Sequence, residues 1–445
     1  MPLPKRYAGQ VPDMIKVWEP EGYFRAQAKI WEAQSEARHE LYGKPTARQL
    51  KQILAALELT PKDIIALNEA KGHETNKLLR KVQTKLSPEA GNFIHLGNTS
   101  SDVLDTSLSL QIIESLNIVG NDFDQLGKSL KKLALKHKET LQIGRTHGQH
   151  AIPQTFGRQI VGWYAEVKRG IERIDRAKKV IAFGKLSGEI GTHVFISPEL
   201  EEEALAKLGL KPDEAPTQII SRDRHAEVVA LMGINGTTLA RIATNIRLLG
   251  MTDIGEVREP FDPKDQQGSS AMPHKRNTEL TERVVGLNRE VREKVATELD
   301  TAITWLERDI SHSSSERFVY PDLFGCLSYA AKLTTLVMDG LVVNADRMVK
   351  NMDKTHGAIY SSRLLNVLLE TQKISRTEAY ELVKELSQKA IDTETPLTKL
   401  VSDNIKIARL LKQDQITELF DPSFYLKNID VAFKRTGLIS SKNKE

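Results

Sequence analysis

The stretch Gly268-Ser269-Ser270-Ala271-Met272-Pro273-His274-Lys275-Arg276-Asn277 gathers two hydroxyls, a positive charge and an amide. Glycine leaves its near end mobile and Pro273 stiffens its far end. A loop of this composition can close over an anionic substrate and present a hydroxyl to it. The same residues also suit an ordinary solvated loop. Serine has too high a pKa to act as a base unaided, so Ser269 in that role needs a dry site, nearby cations such as Lys275, and oriented N–H donors. A nucleophilic serine would instead need a Gly-x-Ser-x-Gly elbow between strand and helix, and the sequence has none. Glu282 lies thirteen residues beyond Ser269.

Two further polar islands carry chemistry. In Gly144-Arg145-Thr146-His147-Gly148-Gln149-His150, bounded downstream by Pro153, a histidine in a bend can transfer protons near neutral pH or can serve as a hydrogen-bonded structural group. The pair His147 and His150 lacks a nearby third ligand, and Gly148 weakens the helical register that would align them on a metal. The other island runs from His95 to Asp102, with His73 and Glu74 upstream. Thr99 and Ser100 stand just ahead of a long helical pattern, where free backbone N–H groups favour an anion; Ser101 or Asp102 as a plain helix cap is the alternative. Walker, dinucleotide-glycine and His-Glu-x-x-His patterns are missing from the sequence.

The elements that must position these islands are helices. Short amphipathic segments fill the first hundred residues: one from Pro20 to Leu41, one after Thr46, and one starting at Thr60-Pro61, a cap followed by proline at the first helical position. Apolar stripes at helical spacing then run for about 25–30 residues each, implying rods of roughly 40 Å. The first contains Leu108, Ile112, Leu116, Val119 and Phe123; the second contains Ile160, Trp163 and Val167. Val228 to Leu249 forms the third. The fourth runs from Leu280 toward Leu306, and the fifth continues through Leu333, Leu341 and Met348. Five rods joined by loops make an all-α protein with an elongated central bundle, whose uncovered apolar faces favour oligomerisation. The expected domains are residues 1–102, 103–353 and 354–445. Val194-Phe195-Ile196 is the best strand candidate and too short to seed a sheet, while Ser375 to Glu378 reads as a capping box in the last domain.

At 445 residues, with 40% hydrophobic and 27% charged content, the chain has the composition of a soluble globular protein of two or three domains. A net charge of +4 and the lack of a basic arm argue against nucleic acid and for small anionic substrates. The single cysteine, Cys326, rules out an internal disulfide. With neither an apolar leader nor a run of about 18 apolar residues, the expectation is a cytoplasmic protein that does not meet the membrane.

The three islands together resemble the fumarase/aspartase superfamily, whose members cleave a C–N or C–O bond by β-elimination and release fumarate. Gly-Ser-Ser-x-Met-Pro-x-Lys-x-Asn is that superfamily's signature. Within it, the segments Met272 to Asn277, Thr99 to Thr106, Gly144 to Gly148, Ser221-Arg222-Asp223-Arg224-His225 and Glu307 to Ser314 are similar to the adenylosuccinate lyase branch. The resemblance implies roles. Ser269 would be the general base removing the succinyl Cβ proton, and His147 the general acid protonating the departing nitrogen, with Glu282 holding and polarising it. Lys275 and Asn277 would bind the succinyl carboxylates and stabilise the aci-carboxylate. His73, among the reacting groups, would line the substrate and phosphate side with Glu74 and His95. Thr99 and Ser100 would hold a carboxylate, and Gln218 would contact the succinyl group. Arg6, Tyr7, Arg308, Ser313 and Arg317 would contact the nucleotide, mainly its phosphate.

The implied substrates are purine nucleotides: adenylosuccinate, giving AMP, and the succinyl-carboxamide imidazole ribotide, giving its carboxamide product, each with fumarate. The implied fold is all-α in three domains, a homotetramer whose active sites each draw on three subunits, with neither cofactor nor metal. Two positions depart from the pattern: Thr278 stands where proline usually follows the asparagine, and Asn98 where an apolar residue usually precedes Thr-Ser. Argininosuccinate lyase and the cycloisomerase branch share the serine loop, and a catalytically silent helical homologue is the reading outside enzymology.

Overall fold

The computed structural model describes residues 4–261 and 271–440. Gly268, Ser269 and Ser270 therefore lie outside the described residues. The chain is all-α. Among the described residues its long helices include Ser100–Lys136, Phe156–Ile181, Asp223–Leu249, Glu279–Thr301 and Ser311–Gly340, the first of them about 55 Å long at the usual rise. The described strands form three two-stranded pairings. Among the described residues, no helix is long and apolar enough to cross a membrane.

By contact the chain forms two compact units. One comprises Met1–Leu126, Val167–Arg241 and Arg283–Thr334; the other comprises Gly127–Glu166, Ile242–Glu282 and Thr335–Glu445. In the first, the helix Pro20–Tyr42 begins on proline and stops at Gly43. Thr46 and Thr60 each close a capping box at the start of the next two helices, Ala47–Leu57 and Pro61–Glu69, and each such cap contributes about 1 kcal/mol. Their apolar faces meet around Trp31, Ile53, Leu67 and Leu78, against Leu186, Ile196 and Leu205. In the second unit the C-terminal helices gather Leu364, Leu368, Val383, Leu397 and Ile416 into a core, and Ser375 caps Arg376–Asp392 by accepting from the Glu378 amide.

The structure differs in three places from the sequence reading, two of them in the rods. The helix Glu279–Thr301 stops before Leu306, which takes a φ of 49° and is 90% exposed, so the apolar stripe overruns the helix. The last rod ends at Gly340, where a Cβ would stand 2.7 Å from the Pro260 ring. The chain then pairs Val342–Val343 with Val257–Arg258 before a separate helix, Ala345–Met352. Val194-Phe195-Ile196 is not a strand: Ile196 anchors in the core while Val194 and Phe195 project outward from a bend.

The one pairing of more than two residues per strand, among the described residues, is a hairpin absent from the sequence reading, Leu141–Thr146 against Gln149–Thr155. His147 and Gly148 join its strands at φ 52° and 77°, the doubly left-handed backbone of a type I′ turn. That turn matches the twist of antiparallel strands, and it places His147 at the tip. A bulge between Ile143 and Arg145, and Pro153 in the second strand, break the alternation that would have announced the strands.

Candidate active site

The first unit contains a cavity of about 360 Å³. Trp18, Pro20, Tyr23 and Leu108 give it apolar walls, while Arg308, Ser313 and Arg317 bring hydroxyl and guanidinium groups. Ser313 and Arg317 sit four residues apart on the helix Ser311–Gly340, so they share a face. Arg317 forms a two-pronged bond with Glu74, Nη1 to Oε1 at 2.8 Å and Nη2 to Oε2 at 2.9 Å, and the Tyr23 hydroxyl donates to the same carboxylate at 3.2 Å. Burial opposes ionisation of Glu74, but Arg317 holds the carboxyl below its ordinary pKa. Arg308 Nη1 donates to Ser101 Oγ at 3.0 Å and to Gln218 Oε1 at 3.1 Å, so two of the expected substrate contacts, Arg308 and Gln218, are joined directly.

Thr99 and Ser100 stand at the start of the helix Ser100–Lys136. The Thr99 amide donates to Asp102 Oδ2 at 2.8 Å, so Asp102 sits inside the first turn and bonds back to the residue ahead of the helix instead of standing as the cap itself. Asp102 does more than this. It is fully buried, pairs with the fully buried Lys185, and accepts from the Ser187 and Gly188 amides. His95 takes a φ of 65° and lies edge-on to Trp31. Burial, and secondarily the neighbouring His73, lower its pKa. His73 itself is exposed at the head of the helix Glu74–Gln83. Tyr7 leans on Tyr329 with ring centroids 5.3 Å apart, and Arg6 precedes it on the short helix Lys5–Ala8.

The wall of the cavity includes a buried polar cluster, Arg222, Asp105 and Glu316, that sequence reasoning did not assign. Arg222 donates to Asp105 (Nη1 to Oδ2, 2.7 Å) and to Glu316 (Nε to Oε1, 2.6 Å). Burial alone would raise Asp105, yet the Arg222 charge and hydrogen bonds bring it down to about 2. His225 is wholly buried. Burial, helped by the Arg222 charge, lowers it to about 3, so it stays neutral. Arg222 and His225 belong to the Ser-Arg-Asp-Arg-His segment noticed in the sequence, and Asp105 to the Thr99 to Thr106 segment, but neither segment named the other as its partner.

Glu298 accepts from the Tyr320 hydroxyl at 2.6 Å, and burial pushes its pKa up to about 7 from an ordinary 4.5. Between those values the unfolded chain has released a proton that the folded chain retains. Stability from this group is therefore full below pH 4.5, falls as pH rises to about 7, and stays reduced above. Glu298→Gln keeps an acceptor for Tyr320 and removes the ionisation. It is expected to stabilise the chain by about 2–3 kcal/mol at pH 8 and hardly at all at pH 4.5, read as the difference between urea unfolding curves at the two pH values. An equal effect at both would mean that Glu298 is not held protonated.

The second unit holds the remaining described candidates. His147 is exposed at the hairpin tip, and no hydrogen bond engages its ring among the described residues. Lys275 and Asn277 lie on an exposed segment opened by a turn, Lys275 N to Met272 O at 3.0 Å. Glu282 is exposed in the first turn of the helix Glu279–Thr301 and accepts from Thr278 Oγ1 at 3.1 Å; among the described residues no hydrogen bond joins it to His147. At Thr278, where the pattern has proline, the backbone carbonyl accepts from the Glu282 amide as the first bond of the helix, while the hydroxyl is turned to the Glu282 carboxylate. Among the described residues no group of three or more His, Cys, Asp or Glu is arranged to hold a metal ion.

Comparison with known proteins defines first the class. The family described as Lyase matches residues 5–319, and the fold superposes on a fumarate lyase from Mesorhizobium sp. BNC1 with a TM-score of 0.85 at 24% identity, covering 96% of this chain and 97% of that one. The family described as adenylosuccinate lyase C-terminus matches residues 357–436. Adenylosuccinate lyase of Aquifex aeolicus is 39% identical over 86% of this chain and 91% of its own length; that of Thermotoga maritima is 38% identical over 95% and 97%. The chain belongs to the adenylosuccinate lyase family.

Proposed function

We propose that the chain eliminates fumarate from adenylosuccinate, giving AMP, and from the succinyl-carboxamide imidazole ribotide. Ser269 removes the Cβ proton, and Lys275 and Asn277 steady the negative charge that builds on the carboxylate. His147 protonates the departing nitrogen, and Glu282 polarises it. His73 acts alongside them on the substrate. The observation that carries the reading is the cavity of the first unit: the guanidinium groups of Arg308 and Arg317 and the Ser313 hydroxyl stand beside aromatic walls, the complement of a phosphate-bearing nucleotide. Arg6, Tyr7, Glu74, His95, Thr99, Ser100 and Gln218 complete the nucleotide and succinyl contacts. Elimination needs an acid, a base and electrostatic support, all of which side chains supply.

The protein acts as a cytoplasmic homotetramer of three-domain subunits, divided at residues 102 and 353, with each site drawing on three subunits. In such a site Glu282 reaches His147 from a neighbour, which accords with the exposure of both. Ultraviolet assays of the purified protein on adenylosuccinate and on argininosuccinate test the reading. Formation of AMP and fumarate from the first is expected; turnover of argininosuccinate alone would overturn it.

A further inference from the structure

Glu256 and Glu259 have no part in the roles above, yet each bonds to an element that carries a proposed reacting group. Glu256 is fully buried. Its Oε2 accepts from Gln142 Nε2 at 3.0 Å and Arg145 Nη1 at 3.2 Å, and its Oε1 accepts from Arg145 Nη2 and from Asn351 Nδ2 at 2.8 Å. Gln142 and Arg145 lie on the hairpin strand Leu141–Thr146, which leads directly to His147. Opposite-charge, doubly bonded Arg–carboxylate pairs are geometrically restrictive, so this bond sets the height and tilt of the strand.

Three residues later Glu259 does the same for another element. Its Oε2 accepts from the Leu280 amide at 3.0 Å. Its Oε1 accepts from the Thr281 amide at 2.9 Å and from the Thr281 hydroxyl. These amides are among the donors that a helix start leaves unbonded, and a carboxylate there also meets the positive end of the helix dipole. The turn so fixed carries Thr278 and Glu282, and Lys275 and Asn277 lie immediately upstream. Between the two carboxylates, Val257–Arg258 pairs with Val342–Val343, which anchors the segment.

We propose that Glu256 and Glu259 are positioning residues for the elimination, the first orienting the hairpin that bears His147 and the second fixing the helix start that bears Thr278 and Glu282. This rests on the assignment of His147 and Glu282 made above. Neither carboxylate touches the substrate. Each acts by holding another group where proton transfer or charge stabilisation occurs, and misplacement of such a group by about 1 Å lowers rate by about 10²-fold.

The test is steady-state kinetics of the full chain with adenylosuccinate. Glu256→Gln puts an amide NH2 where donors converge, and Glu259→Gln does so at the helix start. Each is expected to lower kcat by about 10–100-fold; in Glu256→Gln KM changes less than about twofold, because Arg308, Ser313 and Arg317 lie on other elements. Glu256→Asp, which restores the charge facing Arg145, should recover part of the loss. A merely structural role would lower the unfolding midpoint and leave kcat per folded site at the parent value; that result overturns the proposal. Should Glu256→Gln fail to fold, Asn351→Ala, which removes one of the donors to Glu256, reads the same quantity: a fall in kcat at constant KM supports the role and a parent-like kcat overturns it. His147→Gln separates the two levels. Parent-like turnover in that variant sinks the assignment of His147, whereas an inactive His147→Gln beside parent-like Glu256→Gln and Glu259→Gln sinks only the positioning role.

Discussion

Ser269→Ala is expected to lower kcat for adenylosuccinate by about 10²–10⁴-fold, the usual contribution of a positioned general base, while AMP affinity and the unfolding midpoint stay at parent values. The alanine keeps the backbone, so N–H donors of the loop remain and only the hydroxyl is lost. Ser269 itself lies outside the described residues, and its role rests on the loop sequence and on the family to which the chain belongs. Single-turnover kinetics beside AMP titration separates the two quantities. Parent-like turnover would move the base to another group, with a histidine first in line. Weakened AMP binding with unaltered chemistry would instead make the serine a nucleotide contact.

Arg222→Met is expected to destabilise the chain by about 3–5 kcal/mol, because it leaves the buried carboxylates of Asp105 and Glu316 facing each other without a cation. Domains commonly have only about 5–15 kcal/mol in total, so much of the folded population is at risk. Urea unfolding at neutral pH reads the loss. The triple change Arg222→Met, Asp105→Leu, Glu316→Leu removes all three charges and should regain most of it. It should not regain everything, since the Ile220 amide loses its bond to Asp105. A triple variant no better than Arg222→Met would show that shape rather than uncompensated charge governs the site. The same pair sets an acid limit. With Asp105 held at about 2 against an ordinary 3.8, its contribution is present above pH 3.8 and is lost as pH falls toward 2.

Helical periodicity made most of this fold legible. Ile112, Leu116, Val119 and Phe123 are fully buried as their spacing requires. Leu108 marks the limit of that signal: it keeps the phase of the stripe yet lines the cavity, because phase tells which face turns inward and not whether core or open space lies there. Leu306 marks another, since an apolar residue in phase does not by itself extend a helix. The hairpin was hidden because its strands are short and irregular. Its hold on the protein comes from Glu256, 111 residues from Arg145, and periodicity carries no information at that separation. Arg222 was visible as part of a motif, but its partners Asp105 and Glu316 stand 117 and 94 residues away. The candidate site residues were named through motif order alone. Their bonds to one another, such as Arg308 to Gln218 and Arg317 to Glu74, needed the fold.

The backbone of His147 bears on why the hairpin has the sequence it has. Both central positions of a type I′ turn favour glycine or asparagine, and an imidazole-bearing residue held at a φ of 52° raises the folded state by about 1 kcal/mol or more. Asparagine at this position would make a more stable protein, and folding alone supplies no reason against it. The tip of the hairpin is thus a point where the chain forgoes stability it could easily have. The physical need it meets instead is an exposed ring, carried on two strands and set apart from the packed interior, with both nitrogens available to whatever approaches from outside the chain.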